Sequence, residues 1–311
     1  MKLPYFSGVR NLLFSIIVLC SCGSDSHSQS ILTPSDSLNK GRLIGVSATG
    51  AAAWAGSISA LYFVWYKDFP KSGFHTFNDS HEWQQMDKIG HMYSSLQFGR
   101  FVGDLYEWTG LDHKKSSLIG AGFSIGYMTT FELLDATNEQ WGFSWSDVGF
   151  NTLGTLTYWS QEYFWNKQYA HLKFSSHHSG LAEYRPNVLG NSFASRLLKD
   201  YNGQTYWLSF NPISWFNEDS KFPKWINLSL GYGIENQLIG DGGTYVVANN
   251  NEQLSFTPYR QFYLSLDVDF EAIKTDKKWL KLIFRGLNFI KVPFPALEVS
   301  QGKLSFKPLY F

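Results

Sequence analysis

The stretch FYLSLDVDF, residues 262–270, decides the C-terminal half of the fold, because large apolar side chains alternate with polar ones along it. Leu264 and Leu266 alternate with Ser265 and Asp267. Successive side chains of a β-strand point to opposite faces of the sheet. A period of two therefore predicts a strand with one apolar and one polar face.

Further strands are predicted on both sides of this one. The same alternation runs through residues 225–232, and short apolar runs cover 205–210 and 303–311. Residues 274–290 instead place apolar side chains three and four positions apart, which is helical spacing. The region 171–311 is therefore predicted to be mainly β, a small antiparallel sheet with one amphipathic helix.

The predicted helix over 274–290 has a basic face. This face carries Lys274, Lys278, Lys281 and Arg285, with Trp279 beside them. A basic amphipathic helix with a tryptophan suits an anionic membrane surface. The alternative is an ordinary surface helix packed on the sheet.

The region 43–170 shows helical patterns. The predicted helices cover 44–66, 79–108, 116–135 and 145–166. The second is predicted to begin at a capping box formed by Asp79 and Glu82. The sequence thus predicts an α+β protein, in which a bundle of four to five helices precedes the sheet.

The first of these helices has two interpretations. Residues 44–66 are uncharged, apolar and rich in Ala, Gly and Ser, and they are long enough to span a membrane. Ala52 and Gly56 are four positions apart, which allows a second helix to approach closely. The alternative is a helix buried inside the bundle.

The chain opens with the pattern of an export signal. Basic residues precede the apolar run 12–19, which has the length of a secretory signal core. Cys22 has an apolar residue three positions before it and a small one just before it, as in a lipobox, which predicts cleavage and lipidation at Cys22. Removal of 1–28 by ordinary signal cleavage is the alternative. Residues 23–42 are predicted to be a tether.

Composition narrows the class of protein. The 26 basic and 26 acidic residues balance, so no basic field exists for nucleic acid. Aromatic residues make up 18% of the chain, including 12 Trp, and such side chains favour membrane interfaces. The mean hydropathy of −0.20 argues against many membrane spans. These features predict a membrane-associated envelope protein on the periplasmic side, binding lipid or a partner protein, with the choice of inner or outer membrane open.

A set of polar residues shares helix faces in the predicted bundle. The pairs are Asp87 with His91, Glu132 with Asp135, and Asp147 with Asn151. Facing helices build metal sites from such residues, and they also build buried hydrogen-bonded networks. Both interpretations stay open.

If these residues form a functional site, their side-chain chemistry predicts a role for each of them. The candidate catalytic residues are Asp87, His91, Glu132 and Asp147, and the candidate ligands of a divalent metal are His91, Glu132 and Asp135. The candidate members of a polar network are Lys88, Arg100 and Asn151. This set makes a membrane-associated hydrolase, acting on lipid or a cell-wall precursor, the alternative function. A second alternative is an outer-membrane β-barrel-like component, because the chain ends in an aromatic residue.

Several blocks carry a resemblance to a known family. They are EWQQMDKIGH at 82–91, ELLD at 132–135, WGFSWSD at 141–147 and KDYNGQTYW at 199–207. Together they resemble the YfiM-like predicted periplasmic lipoprotein family, a domain of unknown function. The Asp-Lys-x-x-His block and the later Asp-x-x-x-Asn-x-x-Gly block also resemble VanZ-like membrane proteins. The resemblance implies an envelope location and no particular reaction.

Overall fold

The computed structural model describes residues 32–67, 69–213, 220–249 and 252–310. The signal segment and the lipobox with Cys22 lie outside the described residues. Residues from Pro34 onward form one unit, with helices concentrated in its first half and strands in its second.

The described chain contains seven α-helices. They are α1 Lys40–Leu61, α2 Met86–Trp108, α3 His113–Asp135, α4 Trp145–Trp165, α5 Pro186–Leu189, α6 Phe193–Lys199 and α7 Lys278–Leu287. The strands are β1 Ala170–Ser176, β2 Gln204–Phe210, β3 Ile226–Glu235, β4 Tyr245–Asn249, β5 Glu252–Phe256, β6 Tyr259–Val268, β7 Phe294–Ser300 and β8 Lys303–Tyr310. An antiparallel sheet of six strands has the order β1-β2-β3-β6-β7-β8, and β4 pairs with β5. The predicted α+β class is confirmed.

Helices α2, α3 and α4 pack closely because glycines line their contacts. A Cβ atom on Gly120 of α3 would lie 2.3 Å from the carbonyl oxygen of Gly99 on α2. A Cβ atom on Gly154 of α4 would lie 2.1 Å from the carbonyl oxygen of Met92. Such approaches exclude any side chain, so these glycines fix how near the three backbones lie.

The predicted apolar helix over 44–66 is present as helix α1 followed by a π-helical turn, Tyr62–Tyr66. The helix begins at Lys40, inside the predicted tether, because the Asn39 side chain caps it by accepting from the Arg42 backbone N–H. No residue of α1 is buried, so the prediction of a buried helix is wrong. Helix α1 is the one helix of the described chain that is long and apolar enough to cross a membrane.

Helix α2 does not begin at the predicted capping box. The Asp79 carboxylate contacts Lys88 and two serines before and within α4, so it does not cap the helix. The turn Glu82–Gln85 also contains three consecutive residues with φ of 49°, 48° and 67°. Left-handed backbone is incompatible with a continuing α-helix, so α2 begins only at Met86.

The six-stranded sheet buries its polar face and exposes its apolar face. Along β6 the buried residues are Gln261, Tyr263, Ser265 and Asp267, and the exposed ones include Phe262, Leu264 and Leu266. Leu264 lies opposite Leu230 of β3 and Leu297 of β7. Opposite residues share a face, so the exposed apolar surface continues from strand to strand.

The polar face lies on the inside of a curled sheet. Tyr310 of β8 reaches across to β2, where its hydroxyl lies 3.0 Å from Thr205 Oγ1. Lys173 of β1 reaches Asp267 of β6 at 2.9 Å. These contacts join strands that are not neighbours in the sheet, so they hold it in a curve around its polar side chains.

The apolar face joins the sheet to the bundle at one end only. Leu172 of β1 packs with Leu96 of α2 and Tyr158 of α4. Tyr93 of α2 packs near Phe174 of β1, with ring centroids 5.9 Å apart. Farther along, Leu230 of β3, Leu264 of β6, Leu297 of β7 and Phe306 of β8 stay exposed.

Helix α7 turns apolar side chains outward. Trp279, Leu282 and Ile283 are 51%, 61% and 46% exposed. Arg285 departs from the predicted basic face, because ion pairs with Asp104 and Glu271 hold it inward. Lys274, Lys278 and Lys281 remain exposed.

Candidate functional site

Asp87, His91 and Asp147 converge within the bundle. One ligand atom from each lies within 4.8 Å of the others. His91 Nε2 is 3.9 Å from Asp87 Oδ1 and 3.8 Å from Asp147 Oδ1. These separations are too long for hydrogen bonds, so the imidazole faces two carboxylates without bonding to either.

The backbone explains why these side chains meet. Asp87 and His91 are one helical turn apart on α2 and share a face. Asp147 lies in the first turn of α4, which Ser144 caps by accepting from the Asp147 backbone N–H at 3.1 Å. The close approach at Gly154 then brings α4 against α2.

Lys88 is fully buried beside this site. Its Nζ lies 2.6 Å from Asp79, 2.9 Å from Asp87 and 2.6 Å from Asp147. Burial alone would lower the pKa of Lys88, but the charges of Asp87 and Asp147 outweigh burial and raise it. Lys88 therefore joins three carboxylates through one buried cation.

The other ring nitrogen of His91, Nδ1, faces an amide and a third acid. His91 Nδ1 is 3.2 Å from Asn151 Oδ1 and 3.8 Å from Glu132 Oε1. Burial would lower the pKa of His91, but Asp87 and Asp147 reverse this and raise it. We call Asp87, Lys88, His91, Glu132 and Asp147 the His91 cluster.

Glu132 is a buried acid of this cluster, and its charged neighbour His91 is 3.8 Å away. The glutamate is 1% exposed, and neither carboxyl oxygen has a hydrogen-bond partner among the described residues. Burial, reinforced by the charge of Asp147, raises the pKa of Glu132 to about 8. The side chain therefore holds a proton at neutral pH.

Two predicted site residues lie apart from the cluster. Asp135 accepts a hydrogen bond from the Tyr66 hydroxyl at 2.6 Å, and burial raises its pKa to about 6. It does not join His91 and Glu132 in a group of ligand atoms that one ion could reach, within the described part of the chain. Arg100 pairs with Glu271, which also pairs with Arg285 of α7. Arg100 therefore does not neutralise the bundle carboxylates.

Two site residues were outside the sequence prediction. Tyr201 donates to Asp87 Oδ1 at 2.7 Å from a position more than 100 residues away, and no spacing rule links the two. Asp79 contacts Lys88, but the sequence placed it at a helix cap. In the sequence, the only indication that Asp79 joins the site was its negative charge shortly before Lys88.

The His91 cluster opens onto a cavity of about 780 Å³. Its walls combine acidic groups, including Asp79, Glu82 and Asp135, with aromatic rings such as Trp83 and Trp141. Acids outnumber bases on these walls, so the cavity favours a cationic or hydrogen-bond-donating ligand.

Comparison with known proteins covers part of the chain. The family model for predicted periplasmic lipoproteins, DUF2279, matches residues 73–161, which include all of the His91 cluster. No curated protein and no solved structure matches. The similarity to VanZ-like proteins is not shown. The match supports a periplasmic envelope location, and it identifies residues 73–161 as the segment shared with the predicted periplasmic lipoprotein family of unknown function.

Proposed function

We propose that this protein is an envelope protein whose curled sheet rests with its outer face in the acyl region of a membrane. The observation that carries the proposal is the inverted burial of β6, with Phe262, Leu264 and Leu266 outside and Ser265 and Asp267 inside. In water the reverse arrangement is the stable one, since exposed apolar area is unfavourable. Contact with lipid removes that disadvantage.

The outer face of the sheet is long and lacks charge along its centre. Its exposed residues from β2 to β8 include Leu208, Leu230, Phe262, Leu264, Leu266, Leu297, Val299, Leu304, Phe306 and Leu309. Apolar-out and polar-in alternation is how strands meet lipid. A continuous surface of this chemistry fits acyl chains better than it fits a polar partner.

Two other elements present the same chemistry. Helix α7 exposes Trp279 and Leu282 beside Lys278 and Lys281, a combination that suits a membrane surface with anionic headgroups. Helix α1 is apolar and has no buried residue. The predicted lipid anchor at Cys22 would add to these contacts.

Photo-crosslinking in isolated cell membranes tests the proposal. A photoactivatable phenylalanine analogue replaces Phe262 or Phe306 on the outer face of the sheet, which are 52% and 62% exposed. Phe193 on α6 is 85% exposed and is not part of the sheet, and it serves as the control. We expect lipid adducts by mass spectrometry from the first two positions and none from the third.

Other results of this experiment are equally informative. Adducts to one protein at Phe262 and Phe306 would replace lipid contact with partner binding. An absence of adducts at both positions, or equal lipid labelling at Phe193, would contradict lipid contact by the sheet.

The His91 cluster favours a second candidate function, a membrane-associated hydrolase that acts on lipid or a cell-wall precursor. His91 lines the cavity, and Glu132, whose pKa burial raises to about 8, lies 3.8 Å behind it, so the pair can supply an acid and a base. The test compares the products that wild type and His91→Gln release from total membrane lipid. A product that both variants release, with equal thermal stability, would exclude the cluster as its source.

A further inference from the structure

We propose that Asp87, His91 and Asp147 bind one divalent transition-metal ion, and that Asn151 and Glu132 position the imidazole. The proposed ligand atoms are Asp87 Oδ1, His91 Nε2 and Asp147 Oδ1. This site differs from the set expected from sequence, since Asp135 is not a ligand. It is independent of lipid contact by the sheet.

The distances fit an ion between the three atoms. Zn–N and Zn–O bonds are about 2.0–2.2 Å, so two ligands at a tetrahedral angle lie roughly 3.4 Å apart. His91 Nε2 is 3.9 Å and 3.8 Å from the two carboxylate oxygens. Closing these gaps takes movements of about half an ångström, which side-chain rotation supplies.

The far side of the imidazole has the arrangement of a metal-bound histidine. A histidine that binds metal through one nitrogen donates the other N–H to a carbonyl or carboxylate, which fixes the tautomer. His91 Nδ1 is 3.2 Å from Asn151 Oδ1, with Glu132 Oε1 at 3.8 Å. Nε2 is then left as the acceptor that faces Asp87 and Asp147.

Charge provides an independent reason for a cation. Three carboxylates, from Asp79, Asp87 and Asp147, contact Lys88, and the last two also face His91. Glu132 is 1% exposed and its oxygens lack hydrogen-bond partners among the described residues. A divalent ion beside this buried carboxyl group would stabilise its ionised form.

Lys88 does not block the ion. It contacts Asp87 through Oδ2, which leaves Oδ1 toward His91. Asp147 Oδ1 is shared by Lys88 and His91, and rotation of this carboxylate gives one oxygen to each cation. One imidazole with two carboxylates suits Zn²⁺ or Mn²⁺ better than Mg²⁺.

The test measures metal binding by the full-length protein in detergent, after chelator treatment and dialysis. Zn²⁺ is added alone, and bound metal and affinity are determined by elemental analysis and calorimetry, with Mg²⁺ as the comparison ion. We expect Zn²⁺ to bind at this site and Mg²⁺ to bind far more weakly. Equal affinity for both ions would mean that the imidazole is not a ligand and would overturn the proposal.

Substitutions locate the ion. Asp147→Asn and His91→Gln should each weaken Zn²⁺ binding more than about 100-fold, since even outer partners of a metal histidine contribute about 10–100-fold. Asn151→Ala should weaken it about tenfold. Asp135→Asn, in the same cavity wall, should leave it unchanged.

The remaining outcomes oppose the proposal. Zn²⁺ held elsewhere in the protein would survive His91→Gln and Asp147→Asn. Loss of binding in Asp135→Asn with retention in Asp147→Asn would support the sequence-based set instead. If Asp147→Asn does not fold because Lys88 loses a partner, His91→Gln decides alone, since His91 is not hydrogen-bonded to Lys88.

Discussion

The interiors of the bundle and of the sheet are both polar, but their charges are arranged differently. Inside the sheet, Lys173 pairs with Asp267 at 2.9 Å, and Lys307 pairs with Glu298 at 3.1 Å. Inside the bundle, Lys88 alone meets three carboxylates at 2.9 Å or less.

This difference separates a structural interior from a candidate site. Matched pairs neutralise each other and stabilise the curve of the sheet without any ligand. An excess of acids around Lys88 and His91 is unfavourable in an empty interior and is typical of functional sites. Three predictions test this comparison, from the largest expected effect to the smallest.

Replacing the central lysine of the bundle gives the largest expected effect. Lys88→Met leaves three carboxylates around an uncharged side chain, and losing one partner of a buried ion pair costs about 3–5 kcal/mol. Lys173→Met in the sheet should cost less, because it leaves one carboxylate, Asp267, and that group keeps hydrogen bonds from Ser209 and Val292. The free energy of unfolding by denaturant, in one detergent, measures both.

An equal or larger loss in Lys173→Met would contradict the comparison. It would mean that the sheet interior depends on the Lys173–Asp267 pair as strongly as the bundle depends on Lys88. The charged groups of both interiors would then serve mainly to stabilise the fold.

Close packing of the bundle gives an intermediate effect. Gly120→Ala places a methyl group 2.3 Å from the Gly99 carbonyl oxygen, so α2 and α3 must separate. Overpacking of this kind costs about 1–3 kcal/mol. The matched control is Gly122→Ala on the same helix, where a Cβ would meet nothing within 4 Å.

The control should be neutral or stabilising by about 0.5–1 kcal/mol, since alanine is the better helix former. Thermal unfolding of both variants in the same detergent makes the comparison. Similar melting temperatures for the two would show that the helices can separate freely and that the site tolerates looser packing.

The pH dependence of stability gives the smallest effect. Burial raises the pKa of Asp135 to about 6, so its folded form retains a proton that the unfolded chain releases above pH 3.8. Its stabilising contribution is therefore present below pH 3.8 and is lost as pH rises to about 6. Asp135→Asn should make the unfolding free energy flatter over this range.

Asp269 in the sheet interior gives the opposite case. Burial would raise its pKa, but His171 outweighs burial and holds the pKa at about 2. Its contribution is present above pH 3.8 and is lost as pH falls toward 2. Asp269→Asn should therefore lower stability between pH 4 and 6 without changing the slope, and a changed slope there would contradict this assignment.

Much of the site was predictable because helical spacing is regular. The four-residue spacing of Asp87 and His91 puts them on one face wherever the helix lies. The partner of Asp135 was not predictable from its spacing to Glu132. Only the folded chain brings the Tyr66 hydroxyl to Asp135, where it donates a hydrogen bond to the carboxylate. Tyr201 comes from a distant segment that only the folded chain brings to Asp87.

The sequence by itself determined the elements and their polarity, because periods of two and of 3.6 follow from backbone geometry. It therefore determined the α+β class and the alternation of β6. Only the tertiary structure decided which face of each element lies inside, since an alternating strand can bury either face. Contacts across the sheet, such as Lys173 with Asp267, place the polar face inside, and they leave Phe262, Leu264 and Leu266 outside.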